Sequence, residues 1–278
     1  MDVLVRPARP SDKEPLMEFL KDVWGGHDYI PAVWDQWVQD SRGKMFVVEA
    51  DGVPVGMNRM RVVADGSAWL EGARVHPRYR SMGLGSMLGE NSMRIAESLG
   101  ISTFRLTSGS SNHAAHRQIA RIRFKEIARF SVYEQARNVG RRGGETLLRD
   151  PAEALRMMKA QREYRLGRGV YWHGWAAAAL YPRVVEKLVA ESRVARLGDA
   201  LAVVGRGGKG SGTRAEIGFL GGPPAEAAKL AASVLGRSGA EERIVFVPQR
   251  SPIIRELRKS GFRRRLSNIL FERKAAKG

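Results

Sequence analysis

The chain contains no cysteine. That absence excludes disulfides, thiolate metal sites and cysteine nucleophiles together, and it leaves the redox compartment open. Long apolar runs are missing too: no stretch approaches the roughly 20 residues that a membrane-spanning helix needs. The opening MDVLVRPARPSDKE lacks the apolar core of a signal peptide, so a cytoplasmic protein is expected. Acidic residues are scarce beside basic ones, 29 Asp and Glu against 47 Lys and Arg, for a formal net charge of +18. Such a surplus attracts phosphate-bearing partners. The basic residues are spread along the chain, however, and the densest clusters, RNVGRR and FRRRL, are short. This distribution favours a solvated arginine-rich surface over a nucleic-acid interface, and attraction for a polyanionic cofactor or an acidic acceptor needs no nucleic acid. With 278 residues, 43% of them hydrophobic and 27% charged, one large globular domain or two ordinary ones are expected.

The pattern is mixed α/β. Val3–Arg6 reads as an opening strand, and PSDKEPLMEFLKDVW follows as a helix with a Ser11/Glu14 capping box and an apolar stripe of Leu16, Phe19, Leu20 and Val23. A second helix, in GGHDYIPAVWDQWVQD, is dense in aromatics. Three strands then come between residues 44 and 75, turned at Asp51-Gly52 and Asp65-Gly66. Helix 86–99 stops at Gly100, and strand 101–107, helix 113–122 and strand 126–135 complete the first half. Residues 138–149 read as a glycine-rich linker, and Asp150-Pro151 starts a well-capped helix. The second half repeats an α/β pattern: strands 201–205 and 216–220, helix PPAEAAKLAASVLG, strand ERIVFVP, helix SPIIRELRKSGF and strand LSNILFE. The ends of the two halves form a weak internal repeat. The expected division is a first domain at 1–137, a linker and connecting helix at 138–165, and a smaller C-terminal domain at 166–278.

The densest signal is RVHPRYRSMGLGSML at 74–88, a strand, a proline break, paired glycines and a helix start. A dinucleotide fingerprint would need G-x-G-x-x-G. The glycines at 83, 85 and 89 put the third one place late, and the Gly-Lys-Ser/Thr of a Walker loop is absent. Successive backbone N–H groups from Met82 through Leu84 to Ser86 at a helix start would still favour an anion. Gly83 and Gly85 would let it approach the backbone closely, and Arg80 could add a charge-assisted contact. The corresponding junction in the second half, FLGGPPAE, loses two donors to Pro223 and Pro224.

Val75-His-Pro-x-Tyr-Arg80-x-x-Gly83-Leu-Gly85-Ser-x-x-Leu resembles the acetyl-CoA pyrophosphate loop of the GNAT (GCN5-related N-acetyltransferase) superfamily, with Ser81 in place of the usual first glycine. One strand later, Asn112, Ala115 and Phe124 match the family's N-x-x-A…G-F segment in register. The resemblance covers about residues 1–135. HDYIPAVWDQW, with WLEGARVHP, is similar to a subgroup that includes histidine N-acetyltransferase-like proteins. The second half reads as a degenerate copy of the same fold.

The resemblance implies a GNAT fold, acetyl-CoA as co-substrate with no metal, and acetyl transfer to a primary amine. It implies that the edge of strand Ala73–Val75, splayed from the strand at 101–107, receives the pantetheine arm, with Asn112 nearby. Period-2 alternation would put Glu71 on the face of Ala73 and Val75, roughly 6.6 Å along the strand from Ala73, as a candidate base. The tyrosine that commonly donates a proton is Ile119 here, which leaves His116 and Tyr133 as candidates. His76 borders the loop as a cofactor or solvent contact. The resemblance also makes the helix–loop–helix carrying Asp28, Tyr29 and Trp34 one wall of the acceptor site, with Asp28 available to hold an ammonium; Trp37 fits core packing better. YWHGW at 171–175 could close the pocket or seal the two halves. An acyl-CoA-binding module without catalysis, and an acetyltransferase docked on RNA or the ribosome, are the competing readings.

Overall fold

The computed structural model describes residues 1–135, 143–205 and 214–276. The first part of the expected linker and the whole RNVGRR cluster lie outside them. The chain divides into two compact units. One is Met1–Leu106, Asn112–Lys125 and Glu272–Gly278; the other is Thr107–Ser111 and Glu126–Phe271. This division differs from a single cut near residue 137, because strand pairing carries residues 126–135 into the second unit and the C-terminal segment into the first.

In the first unit the order is β1 (Val3–Pro7), α1 (Lys13–Leu20), α2 (Ile30–Gln39), β2 (Gly43–Ala50), β3 (Val53–Val62), β4 (Ala68–Val75), α3 (Leu84–Ser98), β5 (Thr103–Gly109) and α4 (His113–Arg121). The sheet runs β1-β2-β3-β4-β5, antiparallel except for β4 and β5, which α3 joins by a crossover. Alternation along β2 sorts the core. Met45 and Val47 pack with Leu16, Phe19, Trp34 and Trp37 of α1 and α2. Phe46 and Val48 pack with Leu84 and Leu88 of α3. Asp51 and Gly52 both take positive φ, 50° and 79°, as a two-residue hairpin turn demands.

Two local expectations change. The start of α1 has no side-chain cap from Ser11. Asp12 takes over: it is buried, receives a two-pronged guanidinium contact from Arg6 at 2.8 and 2.7 Å, and accepts the Arg9 N–H at 2.7 Å. Asp65, taken for an ordinary turn residue, is buried and accepts from Arg105 Nη1 at 2.6 Å, while Arg105 Nε donates to Glu272 at 2.8 Å. Arg105 thereby ties the C-terminal segment to the first unit.

The second unit contains β6 (Lys125–Gln135, after its first residue), β7 (Thr146–Leu147), α5 (Pro151–Ala160), α6 (Arg162–Leu166), β8 (Val170–His173), β9 (Ala176–Ala179), α7 (Pro182–Ala190), β10 (Val194–Leu197), β11 (Ala200–Gly205), β12 (Arg214–Gly221), α8 (Pro224–Gly236), β13 (Glu242–Pro248), α9 (Ile253–Lys259) and most of β14 (Phe262–Lys274). Asp150 caps α5 through the Ala152 N–H at 2.8 Å, as expected. An antiparallel meander β10-β11-β12, a crossover through α8 and a parallel β13 repeat the scheme β2-β3-β4-α3-β5 of the first unit. YWHGW forms the turn of the β8–β9 hairpin and packs within this unit. Trp172 stacks on Phe246 at 4.8 Å, and Trp175 meets the same ring edge-on at 5.3 Å. No helix among the described residues is long and apolar enough to cross a membrane.

Candidate functional site

The first unit has an interrupted strand pair. β4 and β5 pair at Ala68 with Phe104 and at Trp69 with Arg105; β4 then continues to Val75 with no further β5 partner among the described residues. The expected splay is present. On its other side β4 carries a bulge: Met57 of β3 stands opposite Arg74 and Arg59 opposite Glu71, so one extra β4 residue is inserted. Gly72 makes it feasible, with φ +68° and its α-carbon directly under Trp37. A Cβ there would lie 2.7 Å from the indole.

The bulge corrects one expectation. Simple alternation would align Glu71 with Val75. The inserted residue reverses parity, so Glu71 shares its face with Arg59 and Arg74, and Val75 pairs with Gly56 on the opposite face. Glu71 Oε1 accepts from Arg59 Nη1 at 2.5 Å and from Arg61 Nε at 2.9 Å. Arg59 also binds Asp40 and lies over the Trp37 ring at 4.8 Å. Burial alone would raise Asp40, but the Arg42 N–H and the Arg59 charge outweigh it and hold its carboxyl below the usual range.

The glycine loop enters α3 through two left-handed residues, Ser81 at φ +66° and Gly83 at φ +84°. Ser81, where the family pattern has glycine, thus adopts the conformation that glycine takes at least cost. The N–H groups of Met82, Gly83, Leu84 and Gly85 find no acceptor among the described residues, whereas Ser86 N–H is already bonded to Gly83 O at 2.9 Å. The cradle is therefore Met82–Gly85, one residue shorter than expected. A Cβ at Gly83 would meet nothing within 4 Å, so the space beside Gly83 is open. Arg80 is exposed and has no carboxylate partner among the described residues. The late glycine is explained by packing: a Cβ on Gly89 would press on Ile122 at 2.9 Å. Gln118 of α4 was not foreseen. Its carboxamide lies directly against Gly85, which a Cβ would strike at 2.2 Å. Asn112 caps α4 through the Ala115 N–H at 3.2 Å. His76 Nδ1 accepts the Arg78 N–H at 3.2 Å, and its ring sits edge-on between Phe19 and Tyr79, a packing role at the entry to the loop.

The acceptor-side candidates separate. Asp28 is engaged by Arg74 at 2.6 and 3.1 Å and by the Ile30 N–H at 3.0 Å, with its side chain 1% exposed. It cannot hold an ammonium as expected, because Arg74 occupies it. Trp34 is fully buried in the core under α1 and α2, which corrects its assignment to a pocket wall. Tyr29 is 42% exposed, edge-on to Trp37 at 5.9 Å and beneath the Arg74 guanidinium at 5.5 Å. Among the proton donors, Tyr133 is corrected as well. It is 1% exposed in the core of the second unit, with its hydroxyl accepting from Arg258 at 3.2 Å. His116 is half-buried on α4, edge-on to His113 at 5.8 Å. Ile119 is buried.

Three comparisons bear on this geometry. Residues 13–122 match the model of the acetyltransferase (GNAT) family. A histidine N-acetyltransferase from Oreochromis niloticus is 30% identical over 82 residues, 29% of this chain and 24% of that protein, and one from Scomber australasicus is 28% identical over a stretch of equal length. The chain thus matches about a quarter of the length of these curated relatives. The fold of the whole chain is shared with a GCN5-related N-acetyltransferase from Sphaerobacter thermophilus, at 17% identity and TM-score 0.59, over 98% of this chain and 95% of that one. The family match spans β4, the open glycine loop and α3, the elements that build the cradle. Residues 13–122 of this chain therefore form a domain of the acetyltransferase (GNAT) family.

Proposed function

We propose that the first unit is an acetyl-CoA-dependent N-acetyltransferase acting on a primary amine. The observation that carries this reading is the run of N–H groups at Met82–Gly85 that find no acceptor among the described residues, with open space beside Gly83 at the start of α3 and the unpaired length of β4 preceding it. The first feature suits a pyrophosphate, and the second suits an extended amide-bearing arm. Arg80 would add a cation to the phosphates. When bound, acetyl-CoA supplies an acetyl group activated as a thioester. The N–H groups freed by the bulge at Gly72–Ala73 would orient the acetyl carbonyl. Glu71 would take the amine proton, directly or through a water, while Arg59 and Arg61 hold Oε1 and fix the carboxylate in place. Tyr29 would line the acceptor side. The partial match to histidine N-acetyltransferases makes small amino-acid amines the first acceptors to try.

The test is calorimetric titration of the full chain with acetyl-CoA. Wild type binds at one site, and Gly83→Glu, which puts a carboxylate and a Cβ at φ +84°, does not. Absence of binding by wild type overturns the reading. Binding without turnover across a broad amine panel favours an acyl-CoA-binding module instead, a reading supported by the buried Ile119 at the usual tyrosine position.

A further inference from the structure

The second unit has an open cavity of about 470 Å³ lined by Arg162, Gln249, Arg250, Arg255 and Arg258. Arg162 begins α6, Gln249 and Arg250 form the loop after β13, and Arg255 and Arg258 lie on α9. A chain with 47 basic and 29 acidic residues must leave some cations unpaired. Convergence is what distinguishes this place. Elsewhere in the unit several arginines meet carboxylates: Arg193 meets Glu191, Arg196 meets Glu153, and Arg214 and Arg265 share Glu242. None of the four around the cavity has a carboxylate partner among the described residues, and all four are exposed. Arg258 donates to the Tyr133 hydroxyl at 3.2 Å and lies over that ring at 5.9 Å, which holds its chain in place without neutralising it.

The nearby carboxylates are occupied. Glu163, next to Arg162, is buried and accepts from Ser251 Oγ at 2.7 Å. Glu256 pairs with Lys259 at 2.7 Å. The Ser251 hydroxyl also accepts the Ile253 N–H at 3.1 Å, so the loop bearing Gln249 and Arg250 is pinned from below by a buried serine. Like charges crowded without partners are held together at a cost that an anion relieves. Guanidinium groups suit phosphate oxygens in particular, because their paired donors match a phosphate edge. A concavity of this volume is the size of a small-ligand pocket.

We propose that this cavity is an anion-binding site for a small molecule carrying two or more phosphates, separate from the glycine loop of the first unit. A concavity of about 470 Å³ with a pinned loop favours such a ligand over the backbone of a nucleic acid, which would need a basic track continuing beyond it.

The test is calorimetric titration of the full chain with inorganic tripolyphosphate. Three proteins are compared: wild type, the loop variant Gly83→Glu, and the double variant Arg250→Gln/Arg255→Gln made in the Gly83→Glu background. Both cavity substitutions are at exposed positions, and circular dichroism checks that the fold is kept. Binding that persists in Gly83→Glu and weakens at least tenfold in the double variant is the expected result. Because Gly83→Glu alone reports on the first-unit loop, a failure there leaves this outcome readable. Binding unchanged in the double variant, binding abolished by Gly83→Glu, or no binding by wild type each overturns the proposal. So does a single-stranded RNA that displaces tripolyphosphate and depends on the same two arginines, since that result assigns the cavity to nucleic acid.

Discussion

At the scale of the residue, two side chains decide most of the site, Ser81 and Glu71. Ser81 holds φ +66°, a conformation that costs a non-glycine residue about 1–2 kcal/mol. Glycine would relieve that cost but give back roughly 0.4–1 kcal/mol through the unfolded chain. Ser81→Gly is therefore expected to stabilise by up to about 1 kcal/mol, read from urea unfolding, with acetyl-CoA binding kept; a loss of stability would mean that the serine hydroxyl contributes something the contacts do not reveal. Glu71 was found as a candidate from its strand, yet the two guanidinium contacts that hold it come from β3. If an amine acceptor is turned over, Glu71→Gln should lower the rate at neutral pH about 100-fold. The deficit should narrow at high pH, where the amine loses its proton unaided. A flat pH profile at wild-type rate would remove Glu71 from the mechanism. Asp28 shows the limit of reading one residue at a time: its type suited an ammonium, but Arg74, distant in sequence, had already claimed it.

At the scale of the element, the sequence was legible wherever the signal was periodic or local. The apolar stripe of α1, the glycine stop after α3 and the Asp150 cap of α5 are all observed. Alternation failed at β4, and the reason was visible in WLEGARV. A glycine inside a strand pattern marks a bulge, and here it turns Glu71 to the other face. The start of α1 also departs from its local signal, because Arg6 reaches across from β1 to take Asp12. Burial works to raise the Asp12 carboxyl, but the Arg6 contacts and the Arg9 N–H outweigh it and leave it lowered. A lowered carboxylate adds stability above its ordinary unfolded range near pH 4 and loses it as pH falls through the folded value. Asp12→Asn should therefore destabilise by about 2 kcal/mol at pH 7. The difference from wild type should shrink as the pH is taken below about 4. Equal stability of the two proteins at neutral pH would show that the ion pair contributes nothing.

At the scale of the whole molecule, the two compact units interleave along the chain. The C-terminal segment completes the first unit: Glu272 binds buried Arg105, Arg273 donates to Ile122 O at 3.0 Å, and Ala275 N–H donates to Ser102 O at 2.8 Å. Removing residues 272–278 should destabilise the first unit by about 3 kcal/mol, the cost of stripping a partner from a buried charge. The measurement is denaturant unfolding followed through the tryptophans, with Glu272→Gln as the milder variant. An unchanged midpoint in both would show that Arg105 is satisfied by Asp65 and Ser67 alone. By itself the sequence determined the mixed α/β class, the repeated order of elements and the glycine turn that opens α3, because short-range spacing of glycines, caps and apolar residues encodes each of them. Only the tertiary structure decided which groups hold Glu71, that Asp28, Trp34 and Tyr133 are already committed, and that Arg162 meets Arg250, Arg255 and Arg258 in one cavity. Those outcomes depend on partners brought together from remote positions, and spacing along the chain carries no record of them.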